Sequence, residues 1–115
     1  MSLAAASVMM LARIGGALLG AQAVPPPAEP AQEATASWYD DAGQTACGFH
    51  ARYGFASLFL PCGARVLMRG PGGQVIATMQ DRGPFSPGRL FDLNPPLKAA
   101  LGCGDLCVVR YRVLP

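Results

Sequence analysis

Charge is scarce in this chain. Of its 115 residues 14% are charged, and nine basic residues against seven acidic ones leave a formal net charge of +2. The basic residues stand singly rather than in a run, which argues against a nucleic-acid partner. Histidine is almost missing: His50 is the only one. No two cysteines are spaced as CxxC. These two absences speak against the usual zinc sets and against dithiol redox catalysis, so no metal and no other cofactor is expected. Glutamate is equally rare. Glu29 and Glu33 are the only two, so a carboxylate further along has to be Asp40, Asp41, Asp81, Asp92 or Asp105. In place of long helical patterns there are 14 Gly and 11 Pro among 51% apolar residues, a composition of short strands joined by tight turns.

The length argues for one domain. Four cysteines, Cys47, Cys62, Cys103 and Cys107, are an even number in a small chain. That fits a disulfide framework in an oxidising compartment. If Cys47 pairs with Cys62, closing a loop of that size stabilises by about 3 kcal/mol through chain entropy. Cys103 and Cys107 read as a second, local bridge between a helix and a strand, two free buried thiols being the other reading.

Residues 1–23 are apolar or small apart from Arg13 and end in Ala21-Gln22-Ala23, the pattern of a secretory signal peptide cut after Ala23; an uncleaved anchor is the other reading. Residues 24–35 read as an extended Pro/Ala/Glu linker. The folded domain is expected over 36–115. ATASWYDD opens it as a short strand. Trp38 and Tyr39 point to opposite faces there, one expected in the core and the other as a platform for a sugar ring. Residues 43–57 read as a loop. Ala64–Arg69 and Gln74–Gln80 read as strands joined by a hairpin turn at Gly70-Pro71-Gly72-Gly73. Leu93–Leu101 reads as a short helix with Asn94 as N-cap and Pro95 at its first position, ended by Gly102. Cys107–Leu114 alternates as a last strand. About six short strands and one helix predict an all-β fold, a small closed barrel that removes sheet edges.

The stretch Met79–Pro96 organises the rest. An apolar run from Val75 delivers Asp81 to a strand end, where a rigid scaffold aims a carboxylate that solvent still reaches. Asp92 follows after Arg82, Arg89, Phe85 and several Gly/Pro turns. On its own, Asp81 followed by Arg82 and Gly83-Pro84 reads equally as a turn-capping aspartate.

From Ala36 to Leu114 the chain resembles the RlpA-like double-psi β-barrel domain, a fold shared with expansins and barwin-like proteins. The matching pieces are ASWYDD, TACG around Cys47, LPCGARV around Cys62, DRGPFSPGRLFDL, and PPLKAALG before the last strand. The resemblance implies a secreted, periplasmic or wall-associated monomer that acts on peptidoglycan or another cell-wall glycan, with no membrane contact beyond the N-terminal segment. It also implies that Cys47 and Cys62 are bridged. The aspartate of the DRGP motif, Asp81, is the residue that the resemblance makes catalytic. The family's histidine precedes a Leu-Pro pair, and Ser57 stands in that place here. His50, seven residues earlier, is a candidate substitute.

Two functions follow. A lytic transglycosylase needs one carboxylic acid to protonate the glycosidic oxygen, because the attacking 6-hydroxyl belongs to the substrate. Burial near Phe85 or Phe91 would suit Asp81 to that role. Trp38, Tyr39, Arg82, Arg89, Asp92 and His50 are then candidate glycan contacts, with Arg82 expected outward or on a carboxylate of the polymer. A hydrolase would instead need a carboxylate pair such as Asp81 and Asp92. The other function is a non-catalytic wall-binding or wall-loosening module, expansin-like or barwin-like, which Ser57 favours.

Overall fold

Every second residue of the last strand is apolar, and that alternation predicts a sheet with one buried face. The computed structural model describes residues 31–115 and shows what the alternation builds. The segment read as signal peptide, and residues 24–30 of the linker, lie outside the described residues. Cys107, Val109 and Tyr111 point inward from the last strand while Val108 and Arg110 face out. The elements in order are β1 (Gln32–Trp38), β2 (Gly54–Ala56), β3 (Arg65–Gly70), β4 (Gly73–Asp81), β5 (Phe91–Leu93), α1 (Pro95–Leu101) and β6 (Cys107–Val113). The six strands close into a barrel in the order β1-β5-β2-β4-β3-β6, as the turn-rich composition implied. β1 with β5 and β2 with β4 run parallel; the remaining pairs are antiparallel.

The core is the barrel interior. Phe55, Val66, Met68, Met79, Phe91, Leu93 and Val109 are almost wholly buried, and Leu97 and Leu101 of α1 join them. Phe91 stands edge-on to both Phe55 and Tyr111, with ring centroids 5.2 and 4.9 Å apart. Asn94 caps α1 by accepting from the Leu97 amide. At the other end Gly102 takes a left-handed φ of 68°, and the β3–β4 turn supplies a donor: the Gly72 N–H meets the Leu101 carbonyl at 2.9 Å. The hairpin read from Gly70–Gly73 therefore also closes the helix. Both disulfides are formed, Cys47–Cys62 and Cys103–Cys107.

Several boundaries differ from the sequence reading. β1 starts at Gln32, so residues 32–35, read as linker, pair with β6 from Gln32↔Tyr111 to Thr35↔Val108. Glu33 is thus a barrel residue. The stretch read wholly as loop contains β2, too short to show a period but paired on both sides. The helix begins at Pro95, and Leu93 belongs to β5. Neither Trp38 nor Tyr39 enters the core, since β1 leaves the barrel there; Trp38 is 40% exposed.

β2 and β4 pair Phe55 with Met79 but Ala56 with Asp81, so Gln80 is an extra, unpaired residue, a bulge. Its side chain is fully buried against Gly54, where a Cβ would overlap the Gln80 amide. Gly54→Ala is therefore expected to cost about 2–3 kcal/mol by overpacking. Gly43→Ala, with nothing within 4 Å of the new methyl, should change stability little. Urea unfolding of both variants checks the contrast.

Candidate functional site

Asp81 pairs with Ala56, Ala56 with Asp92, and Asp92 with Ser37. These four residues form one row across β4, β2, β5 and β1, on the outer side of the barrel wall. The inward partners Met79, Phe55 and Leu93 lie in the core beneath it. Strands are about 4.8 Å apart, so the two aspartate backbones stand roughly 10 Å apart with a single methyl, that of Ala56, between them. Ser37 Oγ donates to Asp92 Oδ1. The loop after β4 crosses the row at Gly83, where a Cβ would lie 3.8 Å from Asp92 Oδ2 and 3.9 Å from the Ala56 Cβ.

Asp81 is held by donors on one side. Its Oδ1 accepts the Ala46 N–H at 2.8 Å and the Arg82 N–H at 2.9 Å. The Tyr39 phenol lies near enough to this carboxyl for the Asp81 charge to hold it protonated. Behind Tyr39 lies a buried network that begins at the bulge. Gln80 Nε2 donates to the Tyr39 hydroxyl at 3.0 Å and to Asp41 Oδ2 at 2.8 Å, and Gln80 Oε1 accepts the Ala51 N–H at 2.7 Å. Asn94 Nδ2 donates to Asp41 Oδ2 and to the Ala51 and Arg52 carbonyls at 3.0–3.1 Å. His50 Nδ1 stands 3.8 Å from Asp41 Oδ2. The hydrogen-bonded chain thus runs from Tyr39 through Gln80 to Asp41, with Asp81 beside one end and His50 beside the other. Burial, countered by the Gln80 donation and reinforced by the Asp81 and Asp41 carboxylates, pushes the Tyr39 phenol up to about 12. Burial works to raise Asp41, but donation from Gln80 and Asn94, with its own backbone and His50, outweighs it and holds Asp41 below the usual carboxylate range.

The other candidates are placed differently. Ser57 is fully buried and touches Asp81 through the backbone, its N–H donating to the Asp81 carbonyl at 3.0 Å. Its hydroxyl accepts the Phe59 and Leu60 amides, both at 3.1 Å, and so caps its own turn. Arg82 is exposed, but its Nη1 donates to the Leu60 carbonyl at 2.6 Å and the Ser57 carbonyl at 3.2 Å, pinning the 57–60 turn. Trp38 leans away from the row. Its indole donates to Asp105 at 3.0 Å and Lys98 covers its ring at 5.0 Å. Arg89 borders a separate surface cavity of about 320 Å³ with Glu33, Thr35 and Gly88. Phe85 is 80% exposed and Phe91 lies in the core. Cys47 fastens the loop whose Ala46 amide holds Asp81. Among the described residues no cluster of three or more His, Cys, Asp or Glu is placed to hold a metal ion.

Gln80 and Asn94 join the candidate site beyond what the sequence indicates, and Asp41, in the sequence one of five possible carboxylates, is tied to both. The one signal was polarity at Gln80 directly after the buried Met79, which breaks a period of two but names no partner.

The Tyr39 shift has a definite sign. Its folded value lies above the ordinary tyrosine value of about 10, so its contribution to stability is complete below that pH and is lost as pH rises toward about 12. Ultraviolet titration should show one tyrosine ionising near 12. Asp81→Asn should move that step down, because a charge and an acceptor are removed. An unmoved step would mean that the phenol does not sense Asp81.

The profile of the family described as lytic transglycolase matches residues 31–113. Among solved structures the chain is similar to a mutant Clavibacter michiganensis expansin in complex with cellohexaose, with a TM-score of 0.64 at 18% identity. The apo Clavibacter michiganensis expansin gives 0.62 at 19%. In both cases 74% of this chain is covered and 50% of the other, so the chain spans about half the length of those expansins. The Streptomyces papain inhibitor is matched over 77% of this chain and 100% of its own, with a TM-score of 0.56 at 16% identity. No curated protein matches. The structural likenesses establish the double-psi β-barrel fold, and the profile covers nearly all of the described residues: the chain belongs to the lytic transglycolase family of double-psi β-barrel domains.

Proposed function

We propose that this domain cleaves peptidoglycan glycan strands as a lytic transglycosylase, outside the cytoplasm, with Asp81 as the proton-transferring group. The observation that carries the reading is the placement of Asp81. It stands at a bulged strand end, on the outer row of the barrel, oriented by two backbone N–H groups. In its protonated form Asp81 would give its proton to the glycosidic oxygen as the bond to the anomeric carbon breaks. The 6-hydroxyl of the same sugar then attacks that carbon, closing an anhydro ring. The ionised Asp81 takes up the hydroxyl proton and is restored. The nucleophile is tethered in the substrate, so one carboxyl serves both proton transfers. The Ala46 and Arg82 amides orient the carboxyl. Asp92, two strands away with its Oδ2 directed at Gly83, is placed for a sugar hydroxyl on the same row.

A second reading rests on one observation of its own. The Ser57 hydroxyl, at the position of the family's histidine, is engaged with the Phe59 and Leu60 amides and offers no second proton carrier. On that reading the row binds glycan without cutting it.

Digestion of purified sacculi, with and without stem peptides, separates the two. The full chain is expected to release anhydro-ended fragments identifiable by mass spectrometry. Asp81→Asn is expected to lower their yield by roughly 10²-fold or more. Co-sedimentation with sacculi and no released fragments would establish the binding module in place of the enzyme.

A further inference from the structure

The flank formed by β6, β3 and β4 carries a different chemistry from the aspartate row. Alternation places Arg110 and Arg112 on the outer face of β6, and Arg65, Leu67 and Arg69 on that of β3. Across β3 and β6 the register sets Arg69 directly opposite Arg110 and Leu67 opposite Arg112; across β3 and β4 it sets Arg69 opposite Gln74. Like charges directly opposite each other on a sheet destabilise it. The internal compensation is small. Glu33 lies 3.4 Å from Arg110, but both side chains are more than half exposed, so the pair is screened by water. Arg69 has no carboxylate partner among the described residues. Between these side chains opens a cavity of about 180 Å³, lined by Arg69, Arg110, Arg112, Leu67 and Gln74, and bordered by none of the five aspartates. A cross-strand arginine pair at a cavity, offset only by the water-screened Glu33–Arg110 contact, points to an anion from outside.

We propose that this flank binds a phosphodiester-linked polyol polymer of the wall type, with one phosphate seated in the cavity between Arg69 and Arg110. A phosphate presents oxygens on several sides and takes guanidinium donors from two strands at once, whereas a planar carboxylate is satisfied by a single fork. The arginines also form a track. Residues two apart on a strand are separated by about 7 Å, so Arg65 follows Arg69 on the same outer face by about 13 Å. A chain of repeated phosphates can follow such a track; a single small anion cannot. The cavity carries no exposed aromatic side chain of the kind that seats a protein in a bilayer interface, so the polymer rather than a lipid surface is its occupant. The surface is separate from the Asp81 row and would hold the barrel on an anionic wall whatever chemistry that row performs.

Soluble poly(glycerol phosphate) is the probe, titrated calorimetrically against the full chain at low salt. Binding is expected, weakening as salt is added. Arg69→Gln and Arg110→Gln should each weaken it about tenfold, the scale of a charge-assisted contact. Both residues are exposed, so the barrel should remain folded by circular dichroism. Polyglutamate of matched length should bind less tightly, and vesicles bearing phosphatidylglycerol no more tightly than the polymer. No binding at low salt, or equal binding by the two variants, overturns the proposal. Equal binding of polyglutamate overturns the preference for phosphate, and tighter binding of vesicles transfers the site to lipid. Sacculi stripped of anionic polymer should be processed equally by wild type and Arg69→Gln, which keeps this test apart from that of the glycan row.

Discussion

A polar side chain in a barrel wall must find all its partners within the protein, because water cannot supply them. Gln80 meets that demand, and much of the molecule is arranged by it. Its amide reaches Tyr39, Asp41 and the Ala51 backbone, while its carbonyl accepts the Cys47 N–H at 3.1 Å. These partners lie on the segment between β1 and β2, which has little regular structure of its own. The bulge thus gives an irregular loop a fixed position against the sheet. It also advances β4 by one residue, so that Asp81 rather than Gln80 comes level with Ala56 and joins the outer row.

The loops around the row are fastened by backbone contacts rather than by side chains reaching for ligand. Ser57 and Arg82 illustrate this. The hydroxyl and the guanidinium are both spent on the 57–60 turn, one accepting its amides and the other donating to its carbonyls. Leu58 and Phe59 are held outward as a result, each more than half exposed, beside a carboxyl fixed by two amides. The groups free to meet a glycan on this side are few.

Much of the fold was legible because its signals are local. The hairpin at Gly70–Gly73 follows from turn residues, α1 from Asn94 and Pro95, and β6 from its alternation. β2 was not legible, since three residues define no period and its stability comes from neighbours on both sides. β1 was read as starting late because Gln32, Glu33, Ala34 and Thr35 resemble the linker before them in composition; pairing with β6 overrides that composition. At the site, Asp81 and Asp92 were visible from motif and strand position. The Gln80 network was not. It depends on a register shift between β2 and β4, and a register is a relation between two segments that neither reveals alone.

The pairing of β1 bears on how the molecule comes into being. Its partners are β5 and β6, the last two strands of the barrel. Within the barrel the first strand therefore waits, with both edges unsatisfied, until the last two have been made. Contacts of such long sequence separation form slowly, because loop closure must precede any gain from them. For this barrel completion of the fold is a single late event, and until then β1 is an open edge that another chain can occupy.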